Sequence, residues 1–158
     1  MCYYVGVGDP TDAERIRAGI AKFEPAAARR IRAVRTALRR RFPTAFELVY
    51  DNYNFFVIGY SATERPSGTI VALAADANGV GLSFYRGSEV PNPHGLLQGT
   101  GKQNRFIRLT AGAVTLAHRD VAKLIDAAER QAPKPMRQKG RVVTILRSVS
   151  AKQRPRRK

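Results

Sequence analysis

Five consecutive hydrogen-bonding residues, Tyr50, Asp51, Asn52, Tyr53 and Asn54, interrupt the densest aromatic and β-branched run in the chain, FELVYDNYNFFVIGY at 46–60. Asn and Asp mimic turn hydrogen bonds with their own side chains, so the cluster suits a plain turn. With Tyr85 and Arg86 at the end of a later strand, it equally suits a surface that faces a ligand. A second cluster is Gly99-Thr100-Gly101-Lys102 with Arg105 nearby. Glycines let backbone N–H groups approach an anion and the two cations add charge, so a loose anion nest stands beside a structural turn as a reading. A nucleotide P-loop does not, because it needs a glycine five positions before its Gly-Lys pair and Ser or Thr after it. Leu96 and Gln103 occupy those places. Gly6-Val7-Gly8 runs into Asp9-Pro10 and lacks the remaining glycine spacing of a dinucleotide fingerprint.

Metal chemistry has little to work with. The two histidines, His94 and His118, belong to different segments, and no paired-ligand spacing is present. Asp51 and His94 would make a single-ion or acid/base site only if the fold brought them together. Cys2 would become an N-terminal nucleophile after methionine removal, but Tyr3 follows it where such amidases carry glycine. No cofactor is expected, and no motif dictates a reaction.

These residues depend on an α+β set of elements. Asp9-Pro10-Thr11-Asp12 reads as a helix start, with Asp9 as cap, and Ile16, Ile20 and Phe23 continue at helical spacing. A second helix starts at Pro25, buries Ala27, Ile31, Val34 and Leu38, and stops before Pro43. Its other face carries Arg29, Arg32 and Arg40. The period then changes to two, with Phe46, Leu48 and Tyr50 alternating against Glu47, Val49 and Asp51. Further strands are predicted over 55–60, 69–75, 80–85 and 105–109, with Asn78-Gly79 as the centre of a type I′ hairpin. The glycine- and proline-rich loop 86–104 is expected to hold one short helical turn near Leu96. A last helix is predicted over 118–132, and RVVTIL at 141–146 reads as an additional strand.

A chain of 158 residues is one domain's worth and buries roughly 70% of its unfolded surface. It divides into a lead at 1–9, a domain at 10–132 and a basic extension at 133–158. The single cysteine excludes an internal disulfide and makes a reducing cytoplasm the expectation. The N-terminal stretch is a poor secretory signal, and no apolar run is long enough to insert in a membrane.

Net charge is +16, from 28 Lys and Arg against 12 Asp and Glu. Ten of the basic residues and none of the acidic ones lie in 134–158, which leaves +6 for residues 1–133. Such a tail attracts polyanions through a salt-sensitive, sequence-independent field. Lys152, Arg154, Arg156, Arg157 and Lys158 are therefore candidate contacts for weak nonspecific nucleic-acid binding. The alternative is that they only solubilise a chain rich in arginine.

Two N-terminal helices, a meander beginning ELVYDNYNFF, the loop GTGKQNRFIRL and one closing helix together resemble the YdhG-like family of bacterial domains of unknown function. The resemblance covers about residues 13–132 and is carried best by 47–56 and 99–109. It implies a frataxin-like α+β sandwich, an antiparallel sheet of five to six strands with two N-terminal helices and one C-terminal helix packed on it. It also implies iron handling as one alternative, since some relatives have been linked to it, although here the carboxylates of the first two helices sit among many arginines. The combined expectation is a non-enzymatic binding module for a small anionic ligand or a protein partner. Its ligand surface would be Tyr50 to Asn54, Tyr85, Arg86, His94, Lys102 and Arg105. An iron chaperone and an enzyme using Asp51 or His94 are the alternatives.

Overall fold

The computed structural model describes residues 9–158; the lead at 1–8, with Cys2 and the Gly6-Val7-Gly8 run, lies outside the described residues. Helix α1 (Asp12–Ala21) is capped by Thr11 and not by Asp9. The Thr11 hydroxyl accepts the Glu14 N–H at 3.1 Å, and the Glu14 carboxylate accepts the Thr11 N–H at 3.2 Å. That reciprocal pair satisfies two helix-end donors, whereas Asp9 stands too far back to reach them. Helix α2 (Pro25–Arg41) has proline in its first position and buries Ala28, Ile31, Val34 and Leu38.

Strands β1 (Phe46–Asp51), β2 (Phe56–Ser61), β3 (Thr69–Asp76) and β4 (Gly79–Phe84) form an antiparallel meander. After a long loop come β5 (Arg105–Arg108), a four-residue helix α3 (Ala113–Leu116), α4 (Arg119–Arg130) and β6 (Val143–Val149). The sheet order is β5-β4-β3-β2-β1-β6. All neighbours are antiparallel except β1 and β6, which run parallel. The sheet is therefore mixed, which corrects the antiparallel expectation. A parallel neighbour needs a long crossover, and α4 with residues 131–142 provides it. This return brings Val143 in beside the start of β1, where its N–H donates to the Ala45 carbonyl at 3.0 Å.

Two local expectations also change. The β3–β4 turn centres on Ala77 and Asn78, because Asp76 pairs with Gly79. No non-glycine residue among those described has positive φ, so the turn is not type I′. Asp76 Oδ1 accepts the Asn78 N–H at 2.8 Å, and only Gly79, at φ 140°, takes the positive value. In the long loop the short helical turn forms at Gly87–Glu89 and not near Leu96.

One core joins Ile16, Ile20 and Phe23 to Ile31, Val34 and Leu38, to Val121, Leu124 and Ile125, and to alternate strand residues including Val49, Ile58, Leu73 and Leu82. Glu47 lies on this same side of β1 and is fully buried. Arg35 holds it bidentately at 3.0 and 2.8 Å, and Arg39 adds a contact at 2.8 Å. Its cross-strand neighbours are Tyr60 and Thr144, whose hydroxyls donate to it at 2.7 and 2.8 Å. One carboxylate thus ties α2, β1, β2 and β6 together. Burial alone would push its carboxyl up. The hydrogen bonds and charge of Arg35, with the two hydroxyls, more than offset this and hold it below the ordinary carboxylate range. Burial also drives the Tyr60 phenol well above its usual range, and the Glu47 charge adds to this.

At the outer edge, Val49 pairs with Leu146 and Tyr50 with Ser148, so Arg147 is an extra residue in β6. A bulge that presents a charge blunts an edge strand against further pairing.

Leaving Arg35 and Arg39 opposite a removed partner is strongly destabilising, so Glu47→Ala is expected to cost about 3–5 kcal/mol, read from urea denaturation. Because the folded-state pKa of Glu47 is depressed, its contribution is present above the unfolded value of about 4.3 and is lost as pH falls through the lower folded value. The urea midpoint of the parent chain should therefore fall more steeply below that pH than the midpoint of Glu47→Gln.

Candidate functional site

Residues of β1 to β5 that point away from the core form two cross-strand rows. Arg108, Gly81, Ala74, Val57 and Tyr50 make one, and Phe106, Ser83, Ala72, Gly59 and Leu48 make the other. The middle of both rows is small: glycine, alanine and serine. The ends are large. Between them lies a groove of about 560 Å³, with Phe55 and Val57 on one side, Phe106 and Arg108 on the other, and Asn104 and Asn78 near its ends. Three strand spacings separate its walls, roughly 14 Å.

Period-two alternation produces this floor directly. In β4, Val80, Leu82 and Phe84 go to the core while Gly79, Gly81 and Ser83 face outward. In β3, Val71, Leu73 and Ala75 go in while Ala72 and Ala74 face outward. Ser83 donates to the Asn104 side chain across the rim, and Arg108 lies over the Phe106 ring at 5.8 Å. Among the described residues, Arg108 and Asp76 are the only ionisable groups lining the groove, and the Asp76 carboxylate already accepts from Asn78.

The residues singled out from the sequence do not converge. Tyr50 to Asn54 lie at the β1–β2 turn, whereas Tyr85, Arg86, Lys102 and Arg105 lie at the other end of the sheet, where Phe84 pairs with Arg105. Strand rise and spacing put the two groups roughly 20 Å apart. A single surface joining Tyr50–Asn54 to Lys102 and Arg105 is therefore not formed. Within the second group, Ser88 N–H donates to the Gln103 carbonyl at 2.8 Å, which binds the two loop segments together. Arg105 spends its guanidinium on the Gly101 and Asn104 carbonyls. Paired backbone bonds between Gln98 and Phe106, at 2.8 and 2.9 Å, close the glycine loop as a turn into β5. Lys102 is exposed on it.

His94 is placed elsewhere again, 3.9 Å from Asp120 in a small depression beside α4. It does not meet Asp51, so the acid/base pair is not assembled. His118 caps α4, its Nδ1 accepting the Asp120 N–H at 3.1 Å. Among the described residues no group of three or more His, Cys, Asp or Glu could hold a metal ion. No helix among the described residues is long and apolar enough to cross a membrane.

Asp51 is buried on the core side, and its partners come from the basic extension and from the end of α1. Arg156, only 5% exposed, donates to Asp51 Oδ1 at 3.0 Å and also to the Asn52 and Tyr53 carbonyls. Lys22 Nζ approaches Asp51 Oδ2 at 3.6 Å and donates to Gln153 at 2.8 Å. Arg154 donates its backbone N–H to the Tyr53 carbonyl and lies 5.7 Å from the Tyr53 ring. Arg157 donates to the Lys22 carbonyl at 3.1 Å. The tail is thus packed on the β1–β2 turn. Of the polyanion contacts read from the sequence, Arg156 is corrected to an internal counter-ion, while Lys152 and Lys158 remain exposed. The physical reason is that a desolvated Asp51 needs a positive charge beside it.

The groove residues were missed from sequence, although alternating small and large residues in 71–75 and 79–84 are a readable signal of an unpacked face. The Tyr50 hydroxyl is buried without a hydrogen-bond partner among the described residues. In comparisons with known proteins, no family, no curated protein and no solved structure matches this chain.

Arg156→Ala strands Asp51 in the interior and is expected to destabilise the chain by about 3–5 kcal/mol, whereas Lys158→Ala should change stability by less than about 0.5 kcal/mol. Urea denaturation of both variants checks this. A chain ending at Ala132 loses β6, Thr144 and Arg156 together, and should lack the cooperative thermal transition of the full chain by circular dichroism.

Proposed function

We propose that this chain is a non-enzymatic binding module whose ligand is an anion with flat apolar groups, held in the groove on the outward face of the sheet. The observation that carries this reading is the floor of Ala72, Ala74, Gly81 and Ser83 between aromatic walls. A floor without large side chains lets a planar body approach the strand backbone. Phe55, Val57 and Phe106 supply apolar contact, and Arg108 supplies a cation at the rim. Ligand sites commonly combine a mostly apolar concavity with a few placed polar groups. Among the described residues no nucleophile–base pair lines the groove, which favours binding over catalysis.

Membership of the YdhG-like family, with its frataxin-like sandwich, belongs to the same reading and rests on the residues of 47–56 and 99–109. A cytoplasmic setting rests on the single cysteine. The iron and enzyme alternatives have no specific observation in their favour.

Anilinonaphthalene sulfonate is an anionic, flat probe that tests the groove. Its fluorescence should rise on titration with the full chain. Ala74→Leu, which fills the floor, should abolish the signal, and Arg108→Ala should weaken binding about tenfold, the value of one charge-assisted contact. Both positions face outward, so the melting temperature should hold. If both variants titrate like the parent, the groove is not the site.

A further inference from the structure

We infer that the ligand of this groove is a segment of single-stranded nucleic acid, bound without strong sequence preference. The inference rests on the groove being the binding site and adds the class of its occupant. Three observations carry it.

The first is the set of aromatic surfaces. Phe55 is 43% exposed at one wall, and Tyr53 is 48% exposed in the turn that leads into it. Phe106 forms the opposite wall. Large exposed rings leave apolar area in contact with water unless something stacks on them, and unpaired bases have the flat faces to do so.

The second is the pairing of rings with guanidinium groups. Arg108 lies over Phe106 at 5.8 Å and Arg154 over Tyr53 at 5.7 Å. Neither arginine forms an ion pair among the described residues. Each therefore offers a phosphate contact next to a stacking surface, the combination that tracks a single strand. The chain's net charge of +16 strengthens the attraction, and among the described residues Asp76 is the only acid lining the groove.

The third is the floor. Its small side chains admit planar groups but offer few hydrogen-bonding atoms to read base edges, so the strand would be held by stacking and charge. A duplex buries its base faces in its own stack and presents mainly phosphate to a protein. It would follow total charge and not the groove, and the arginines of α2 would serve it equally well.

The test is fluorescence anisotropy of the full chain with a labelled oligothymidylate and with a labelled duplex of equal length, at low and physiological salt. The single strand should bind at least about tenfold tighter than the duplex. Phe55→Ala should weaken it about tenfold, and Phe55→Tyr should restore it. Arg108→Glu should weaken it more than the charge-matched Arg29→Glu on α2. Equal affinity for duplex and single strand, no effect of Phe55→Ala, or equal effects of the two charge reversals would each overturn the inference. Competition separates it from the reading beneath it. If anilinonaphthalene sulfonate binds in an Ala74→Leu-sensitive manner but the oligonucleotide fails to displace it, the nucleic-acid assignment falls and the groove stands. If the probe never binds, both fall.

Discussion

A fully buried carboxylate is the constraint from which the rest of this structure follows. Glu47 has no access to water, and an ionised carboxylate in that position survives only with its oxygens matched by donors and counter-charge. Arg35 and Arg39 come from α2, the Tyr60 hydroxyl from β2 and the Thr144 hydroxyl from β6. Because side chains alternate along a strand, fixing Glu47 toward α2 fixes the facing of every other residue in β1. Cross-strand pairing then transmits that choice through the sheet. A slip of one residue would turn Glu47 outward and Leu48 inward, leaving two arginines unpaired. The outward groove is thus the reverse side of the same register: Val57, Ala74, Gly81 and Arg108 face away because Ile58, Leu73, Leu82 and Ile107 face the core.

The second buried carboxylate explains why the chain does not end at its last helix. Asp51 closes β1 on the core side and draws in Arg156 from more than 100 positions away, with Lys22 from the end of α1. Part of the chain's arginine excess is internal wiring of this kind. Arg35, Arg39 and Arg156 neutralise buried acids, Arg41 bridges Asp126 and Glu129, and Arg137 spends its guanidinium on the Thr44 and Arg141 carbonyls. The ion-paired arginines are already cancelled in the net charge of +16, so that figure does not say which cations a polyanion could reach. The location of the remaining cations matters more, and Arg108 and Arg154 stand beside exposed rings.

Much of the element plan was legible. Pro25 and Pro43 bracket α2, the Phe46-to-Tyr50 alternation marks β1, and the 141–146 run marks β6, which lies two to three residues later at Val143–Val149, because proline and the periods two and 3.6 act over a few residues. The α1 cap was assigned to Asp9 when Thr11 with Glu14 supplies it, since both patterns are locally sound and only helix phase separates them. The hairpin was centred one residue late, because strand pairing, not the Asn-Gly pair, sets which residues span the turn. The candidate site fared worse. Tyr50 to Asn54 and Lys102 with Arg105 are each chemically suggestive, but no local rule states that opposite ends of the sheet hold them.

Sequence alone determined the main helices and strands to within a few residues, and which residues of each are apolar. These are properties of short windows, governed by backbone sterics and side-chain period. Only the tertiary structure decided that β6 runs parallel to β1, that Arg156 is a counter-ion and not a free tail charge, and that Phe55 and Arg108 flank one groove. Those outcomes depend on pairing between segments far apart in the chain, and on the cost of burying a carboxylate, which selects its partner by position in space.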